Sequence, residues 1–242
     1  MMQSLIQYIG YLVLLLVLAI PLGIYMEKVM NGRQMLLNRF FGPLEIRFYQ
    51  LLGIQHTQEM PARIYLTCVL LTNLAGFLLI FLLLLVQNHL PLNPEGWPDM
   101  SLPLAFNTAA SFVTNTNWQS YQGEAQLSYL TQMLGMTTQN FVSAGSGIAV
   151  LFALLRGFVR TKAATIGNFW VDLTRSIAYI LLPLAVAVTM VLASQGVVQN
   201  FSAYEAASLS EPVQLADGAV IQRMALQLVA HQIGRASCRE RV

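Results

Sequence analysis

Apolar residues form four long runs along the chain, separated by polar stretches, at residues 5–26, 64–86, 127–155 and 177–192. A helix needs about 20 residues to cross the hydrocarbon core of a bilayer, which is roughly 30 Å thick. The first three runs reach this length, and the fourth reaches it when flanking residues are included. The pattern therefore predicts four transmembrane helices.

A shorter apolar segment, residues 101–113, lies between the second and third runs and leads into a polar loop. The segment cannot cross a bilayer, so a helix that enters partway and a loop that returns fits the pattern. Irregular backbone at membrane depth is tolerated only where protein or a water-filled cavity surrounds it. We therefore predict an all-α integral membrane protein with four transmembrane helices, one re-entrant pore helix and a loop that lines a pore.

Composition and charge agree with a membrane protein and orient it. Hydrophobic residues make up 56% of the 242 residues, charged residues make up 10%, and the mean hydropathy is +0.58. Lys and Arg favour cytoplasmic loops, and nine of them follow the first and third runs, whereas residues 87–129 contain none. Segments 27–63 and 156–176 are therefore predicted to be cytoplasmic loops, with the N-terminus and the polar loop outside.

The last ten residues, 233–242, read IGRASCRERV and change abruptly from apolar to basic. They can be encoded by DNA that resembles a sequencing adapter, so we expect a non-native tail and a natural chain that continues past Gln232. This tail carries the whole net charge of +2 and one of the two cysteines, Cys238. The rest is formally neutral, so we predict no nucleic-acid binding. It keeps one cysteine, Cys68, so we predict no disulfide and no metal site other than a potassium site.

The polar loop carries the candidate chemistry. Thr114, Asn115, Thr116 and Asn117 include no carboxylate, which favours carbonyl and side-chain oxygens that replace the water shell of a cation over a ring of charges. The carbonyl end of the preceding half-helix, with its partial negative charge, would also favour a cation.

Polar residues in the third run suggest that part of it faces water or protein. The candidates for a pore-lining or hinge role are Gln139, Asn140, Ser143 and Gly145. One interpretation is a broken helix that bends at its glycines below the loop. The other is close helix packing through small residues, with polar groups bonded across helices. The sequence leaves both open.

Two motifs together resemble a known family. NTAASFVTNTNWQSY at residues 107–121 and QNFVSAGSGIAV at residues 139–150 are similar to the first filter and the following span of the potassium-transporting ATPase A subunit family. The resemblance implies a partial potassium-channel-like repeat fold: residues 1–26 as an additional span, 64–155 as the first complete span–loop–span repeat, and 177–232 as the start of a second. It implies that Thr114 to Asn117 form a potassium selectivity filter, with Gln119 at its entrance.

The function implied by the family is high-affinity potassium uptake in a bacterial or archaeal plasma membrane. The filter would take potassium from outside and pass it through an intramembrane tunnel to a P-type ATPase subunit, with small accessory subunits as further partners. The sequence contains neither GxxxxGK nor a DKTGT-like phosphorylation motif, so we expect no ATP site and no catalytic residues in this chain. The alternative is a stand-alone potassium channel or symporter of the same superfamily.

Overall fold

The computed structural model describes residues 2–33, 36–160, 164–195, 205–214 and 220–226. The predicted non-native tail, 233–242, lies outside the described residues, as do parts of the predicted second-repeat segment 177–232.

Eight α-helices occur in the described residues. In chain order they are α1 (Met2–Met30), α2 (Leu36–Leu51), α3 (Ala62–Val86), α4 (Leu102–Val113), α5 (Gly123–Gln126), α6 (Thr138–Val159), α7 (Phe169–Arg175) and α8 (Leu182–Ser194). A 3-10 turn at Gln87–His89 extends α3, and π-helical turns at Thr131–Thr137 and Ser176–Leu181 precede α6 and join α7 to α8.

Four continuous helical segments are long and apolar enough to cross a membrane, which confirms the four predicted spans: Leu5–Met30, Ala62–His89, Thr131–Val159 and Phe169–Ser194. The fourth is longer than its apolar run because α7 adds to it. Asn168 caps α7 by accepting hydrogen bonds from the backbone N–H groups of Trp170 and Val171, as expected for an N-cap asparagine. The shorter helix α4 occupies the predicted half-helix position.

Two elements go beyond the predicted fold. Helix α2 lies within the predicted loop 27–63, where Pro43 inside the helix weakens the helical signal in the sequence. The predicted all-α class holds for the membrane-spanning part, but strands β1 (Glu205–Gln214) and β2 (Val220–Leu226) form an antiparallel pair outside it. The register shifts between Ser208 and Val213, a stretch that contains Pro212, which has no N–H to donate to the ladder.

The chain divides into two compact units. The first, which we call the loop unit, comprises Met1–Cys68 and Gly145–Pro183. The second, which carries the predicted filter residues and which we call the filter unit, comprises Val69–Ala144 and Leu184–Val242. The core of the loop unit contains Val29, Met30, Tyr179 and Ile180, with Phe41 of α2 packed against them.

A buried ion pair joins four segments of the loop unit. Arg156 donates two hydrogen bonds to Asp172, with N–O distances of 2.6 and 2.9 Å, and the two side chains are only 15% and 3% exposed. The Tyr65 hydroxyl lies 3.0 Å from a carboxylate oxygen of Asp172, and the Arg156 guanidinium also reaches the Met30 carbonyl at 3.5 Å. Helices α1, α3, α6 and α7 are therefore fixed to one another at this point.

Candidate functional site

Helix α4 positions the polar loop that follows it. Ser101 precedes the helix in an extended conformation and a proline stands in the first turn, where its missing N–H costs nothing. Ala105, Ala109 and Phe112 on one face of α4 join Ile80 and Leu84 of α3 in one buried cluster. The side-by-side packing of α3 and α4 fixes the point at which the chain leaves α4 and enters the loop.

The backbone N–H groups of the loop all turn back onto the C-terminal end of α4. Thr114 donates to the Ala110 carbonyl at 3.1 Å and Asn115 donates to the Phe112 carbonyl at 3.2 Å. Thr116 and Asn117 both donate to the Ser111 carbonyl, at 3.0 and 3.2 Å. Four consecutive donors are thus used inside the protein and none is directed at a ligand.

The carbonyl oxygens of the loop differ from its hydrogen-bonded N–H groups. Within the described part of the chain, the carbonyl oxygens of Thr114, Asn115 and Thr116 accept no hydrogen bond, and these three residues are exposed. Asn115 and Asn117 have φ values of 56° and 57°, in the left-handed region that asparagine tolerates better than most residues. A loop with its donors occupied and its oxygens open presents a surface suited to a cation.

Hydroxyl groups hold the loop in this shape. The Thr114 hydroxyl lies 2.9 Å from the Ala110 carbonyl and 2.8 Å from the Thr116 hydroxyl. Because a hydroxyl has a single proton to donate, Thr116 is the donor of the second bond if Thr114 donates to the helix. Ser111, one turn earlier, donates to the Trp118 carbonyl at 3.0 Å and so ties the far side of the loop to α4.

The third span contacts the loop through one of its candidate residues. The Ser143 hydroxyl lies 3.4 Å from the side-chain oxygen of Asn115, which also lies 3.4 Å from the amide nitrogen of Asn117. Asn140 is half-buried, and its side-chain oxygen has no hydrogen-bond partner among the described residues. Gln119 is exposed just beyond the loop.

Gln139 is buried against α3 in the filter unit. Its side chain is 3% exposed, and a Cβ atom placed on Gly76 would lie 2.2 Å from its amide oxygen. The amide therefore occupies the space that the missing side chain of Gly76 leaves open. Nothing in the sequence around Gly76 indicates this role, because the glycine stands alone in an apolar run.

Gly145 lies within the uninterrupted helix α6 of the third span. A Cβ atom there would lie 2.8 Å from Ile177 and 3.2 Å from Leu173, so this glycine allows close packing inside the loop unit. The departure of the third span from α-helical geometry lies earlier, in the π-helical turn Thr131–Thr137. Of the two interpretations of the third run, packing describes Gly145, and a hinge at this position stays a prediction.

The site is electrically neutral. The stretch Val69–Ala144 contains no Lys or Arg, and no acidic residue falls in the loop. Among the residues that the structure describes, no group of three His, Cys, Asp or Glu side chains is placed to hold a metal ion. Any cation bound at the loop would therefore be held by neutral oxygen dipoles.

Comparison with known proteins identifies the family. The family model described as potassium-transporting ATPase A subunit matches residues 9–234. The chain belongs to this family. It is 52% identical to a relative from Clostridium botulinum, over 91% of this chain and 38% of the relative. It is 53% identical to one from Herpetosiphon aurantiacus, over 96% and 40%, and 55% identical to one from Listeria monocytogenes, over 80% and 34%.

All three relatives are named potassium-transporting ATPase potassium-binding subunit. The chain spans about two fifths of the length of these relatives. Residues 107–121 and 139–150, which carry the resemblance in the sequence, both fall inside the part that the family model matches.

Proposed function

We propose that this chain supplies the first selectivity filter of the potassium-binding subunit of an ATP-driven potassium uptake system. The observation that carries the proposal is the state of the loop: the four N–H groups of Thr114 to Asn117 are used by α4, while the carbonyls of Thr114 to Thr116 are open. The names of the relatives support potassium as the ion.

Each filter residue has a specific part in this proposal. The carbonyl oxygens bind dehydrated potassium, since oxygen dipoles can replace a hydration shell without a fixed charge. The Thr114 and Thr116 hydroxyls hold the loop onto α4, and the Asn115 side chain braces it against Ser143. Gln119 stands at the entrance, and Asn140 offers a side-chain oxygen on the third span, which lines the path below the filter.

The remaining parts of the proposal concern the assembly. Potassium enters from the outer side of a bacterial or archaeal plasma membrane, where the N-terminus also lies. An intramembrane tunnel delivers the ion to a P-type ATPase subunit, which hydrolyses ATP, and small accessory subunits complete the complex. The exposed filter residues would meet the other filters of the complete pore.

A chimera tests this proposal. The chain replaces the matching part of the Clostridium botulinum relative, and uptake of potassium and sodium is measured in cells that depend on the system for potassium. Asn115→Asp places a fixed charge beside the neutral filter, which favours smaller, more strongly hydrated cations. We expect the preference for potassium over sodium to fall at least about tenfold, equivalent to about 1.4 kcal/mol.

Gln119→Glu is the matched control, because it adds the same charge to the same loop outside the filter. It should change the potassium dependence of uptake much less than Asn115→Asp does. Unchanged potassium affinity and unchanged exclusion of sodium in Asn115→Asp would contradict the filter assignment. Equal effects of the two variants would show that the loop responds to charge without selecting at Asn115.

A further inference from the structure

Helix α2 carries an exposed apolar stripe that nothing in the proposed function uses. Phe40, Leu44, Phe48 and Leu51 follow one another at spacings of four, four and three residues, which place them on one side of a helix. Their exposed fractions are 72%, 59%, 45% and 83%. Four large apolar side chains on one exposed side of a single short helix form a surface that water would not favour.

The adjoining side of α2 fixes the depth of the helix. Phe41 packs edge-on against Tyr179, with the ring centroids 5.7 Å apart, and belongs with Leu37 to the cluster that contains Met30 and Ile180. Met30 is the last residue of the first span, and Ile180 lies near the start of the apolar run 177–192 within the fourth span. Helix α2 is therefore held at the level where the first span ends and the apolar run of the fourth begins, which is close to the depth of lipid headgroups.

The charges of α2 are sorted between its two sides. Its one acidic residue, Glu45, accepts hydrogen bonds from Arg175 at 3.0 Å, Tyr49 at 2.9 Å and Tyr179 at 2.6 Å. This carboxylate is thereby neutralised within the loop unit, with its side chain only 11% exposed. The two cations of the helix, Arg39 and Arg47, are exposed, so the charged groups on the outward surface of α2 are positive.

We propose that α2 is an interfacial helix that binds anionic phospholipid in the leaflet facing the basic loops. The stripe from Phe40 to Leu51 enters the boundary between headgroups and acyl chains, and Arg39 and Arg47 contact the phosphate-bearing headgroups. An apolar face beside exposed arginines is the pattern of helices that lie in a membrane interface. Each basic residue near an anionic surface adds to the attraction.

Site-specific fluorescence in nanodiscs tests the placement. In the full chain with Cys68→Ser and Cys238→Ser, single cysteines Phe40→Cys, Leu44→Cys and Leu51→Cys are labelled with the environment-sensitive fluorophore NBD. The nanodiscs contain phosphatidylglycerol and phosphatidylcholine. We expect blue-shifted emission at all three positions, with several-fold stronger quenching by doxyl-labelled lipid than by aqueous iodide.

Gln50→Cys is the matched control, because Gln50 is exposed and adjoins Leu51 but points about 100° away around the helix. Its label should respond to iodide and little to the lipid quencher, in preparations that elute at the same size. Stripe labels quenched by iodide as strongly as the Gln50 label would overturn the proposal. Stripe labels shielded from both quenchers would also overturn it, since protein would then cover the stripe.

A second comparison tests the lipid charge. Replacing phosphatidylglycerol with phosphatidylcholine, or combining Arg39→Gln with Arg47→Gln, should reduce lipid quenching at Leu44→Cys by a similar factor. The double variant should also lose its dependence on phosphatidylglycerol. Quenching that stays the same in both experiments would reject anionic lipid as the partner of this helix.

Discussion

In the loop unit, oppositely charged side chains are buried or half-buried in contact with one another, whereas the predicted filter loop in the other unit has neither a cation nor an acid next to it in sequence. The loop unit encloses Arg156 with Asp172, at 2.6 Å, and Arg175 with Glu45, at 3.0 Å. In the described part of the chain, hydroxyl, amide and carbonyl groups hold the loop Thr114–Asn117, the proposed filter.

The difference teaches where each kind of interaction is useful. Two unit charges 4 Å apart interact by about 4 kcal/mol at the effective dielectric of a protein surface, which is strong enough to fix helices. In an ion site, however, a fixed charge favours cations smaller than potassium. The strength with which oxygen dipoles at defined positions bind a cation depends on the size of the ion. Charge can therefore stabilise the loop unit, while a potassium-selective site of the kind proposed for residues 114–117 requires that fixed charge be kept away from it.

The largest expected effect comes from breaking the buried ion pair. Asp172→Asn keeps the size of the side chain but leaves the guanidinium of Arg156 buried without its counter-charge. Loss of one partner of a buried pair costs about 3–5 kcal/mol. We expect a large fall in the fraction of chain that stays monodisperse after heating in nanodiscs, with the filter loop still able to select potassium in the chimera at low temperature.

The control for Asp172→Asn replaces both charges, as Arg156→Met with Asp172→Leu. Because the double variant leaves no buried charge unpaired, most of the stability should return. Wild-type stability in Asp172→Asn would contradict the assignment of this pair as a main link among α1, α3, α6 and α7. A change in ion selectivity without loss of stability would erase the contrast between the two units.

A smaller effect is expected from packing in the filter unit. Gly76→Ala places a methyl group 2.2 Å from the amide oxygen of Gln139, so the amide must move. Overfilling a packed site costs about 1–3 kcal/mol. We expect lower thermal stability and slower potassium uptake in the chimera, because Gln139 lies on the same helix as Ser143, which contacts the proposed filter residue Asn115.

Two further variants give this prediction its controls. Gly76→Ala with Gln139→Ala removes the clashing amide and should restore stability, which a double-mutant cycle would show as a favourable coupling. Gly147→Ala is also on a helix, but its added methyl has no atom within 4 Å other than those of its chain neighbours and its own helix backbone. It should be neutral or slightly stabilising, since alanine favours helix over glycine. Equal destabilisation by both glycine variants would contradict a specific contact at Gly76.

The spans and the half-helix could be predicted because their signals are local. The length of an apolar run decides whether a helix can cross a bilayer, and the 12 residues of α4 are too few wherever the rest of the chain lies. The use of the four loop N–H groups by α4 could not be predicted in the same way. It depends on the left-handed conformations of Asn115 and Asn117, which the sequence allows but does not require.

Partners distant in sequence were not predictable for a different reason. In the sequence, Asp172 looks like an ordinary acidic residue at the start of a helix. Its pairing with Arg156 exists only because the chain returns after α6. The role of Gly76 depends on a residue 63 positions later, at Gln139. The strands β1 and β2 follow the last apolar run, where hydropathy gives no guide to structure.

The smallest expected effect concerns the exposed pair of the loop unit. Arg160 donates hydrogen bonds to both oxygens of Glu59, at 3.0 and 2.8 Å, and Thr165 donates one at 2.6 Å. The hydrogen bonds from Arg160 first, and then from Thr165, lower the pKa of the Glu59 carboxyl below its usual value. Both charged side chains are at least 40% exposed, so the pair is screened by water and salt.

The sign of the pH dependence follows from the lowered pKa. The ionised Glu59 stabilises the folded state fully above the ordinary glutamate pKa of about 4.3, and this stabilisation is lost as the pH falls through the lowered value. In nanodiscs, the difference in stability between Glu59→Gln and the wild type should therefore narrow only in that acidic range. The narrowing should be larger at low salt. A difference that stays constant from neutral pH to well below the ordinary glutamate pKa of about 4.3 would show that Glu59 acts through shape and hydrogen bonding. The pair of Arg160 and Glu59 would then act like the neutral hydrogen bonds of the predicted filter loop and not like the charged contacts of its own unit.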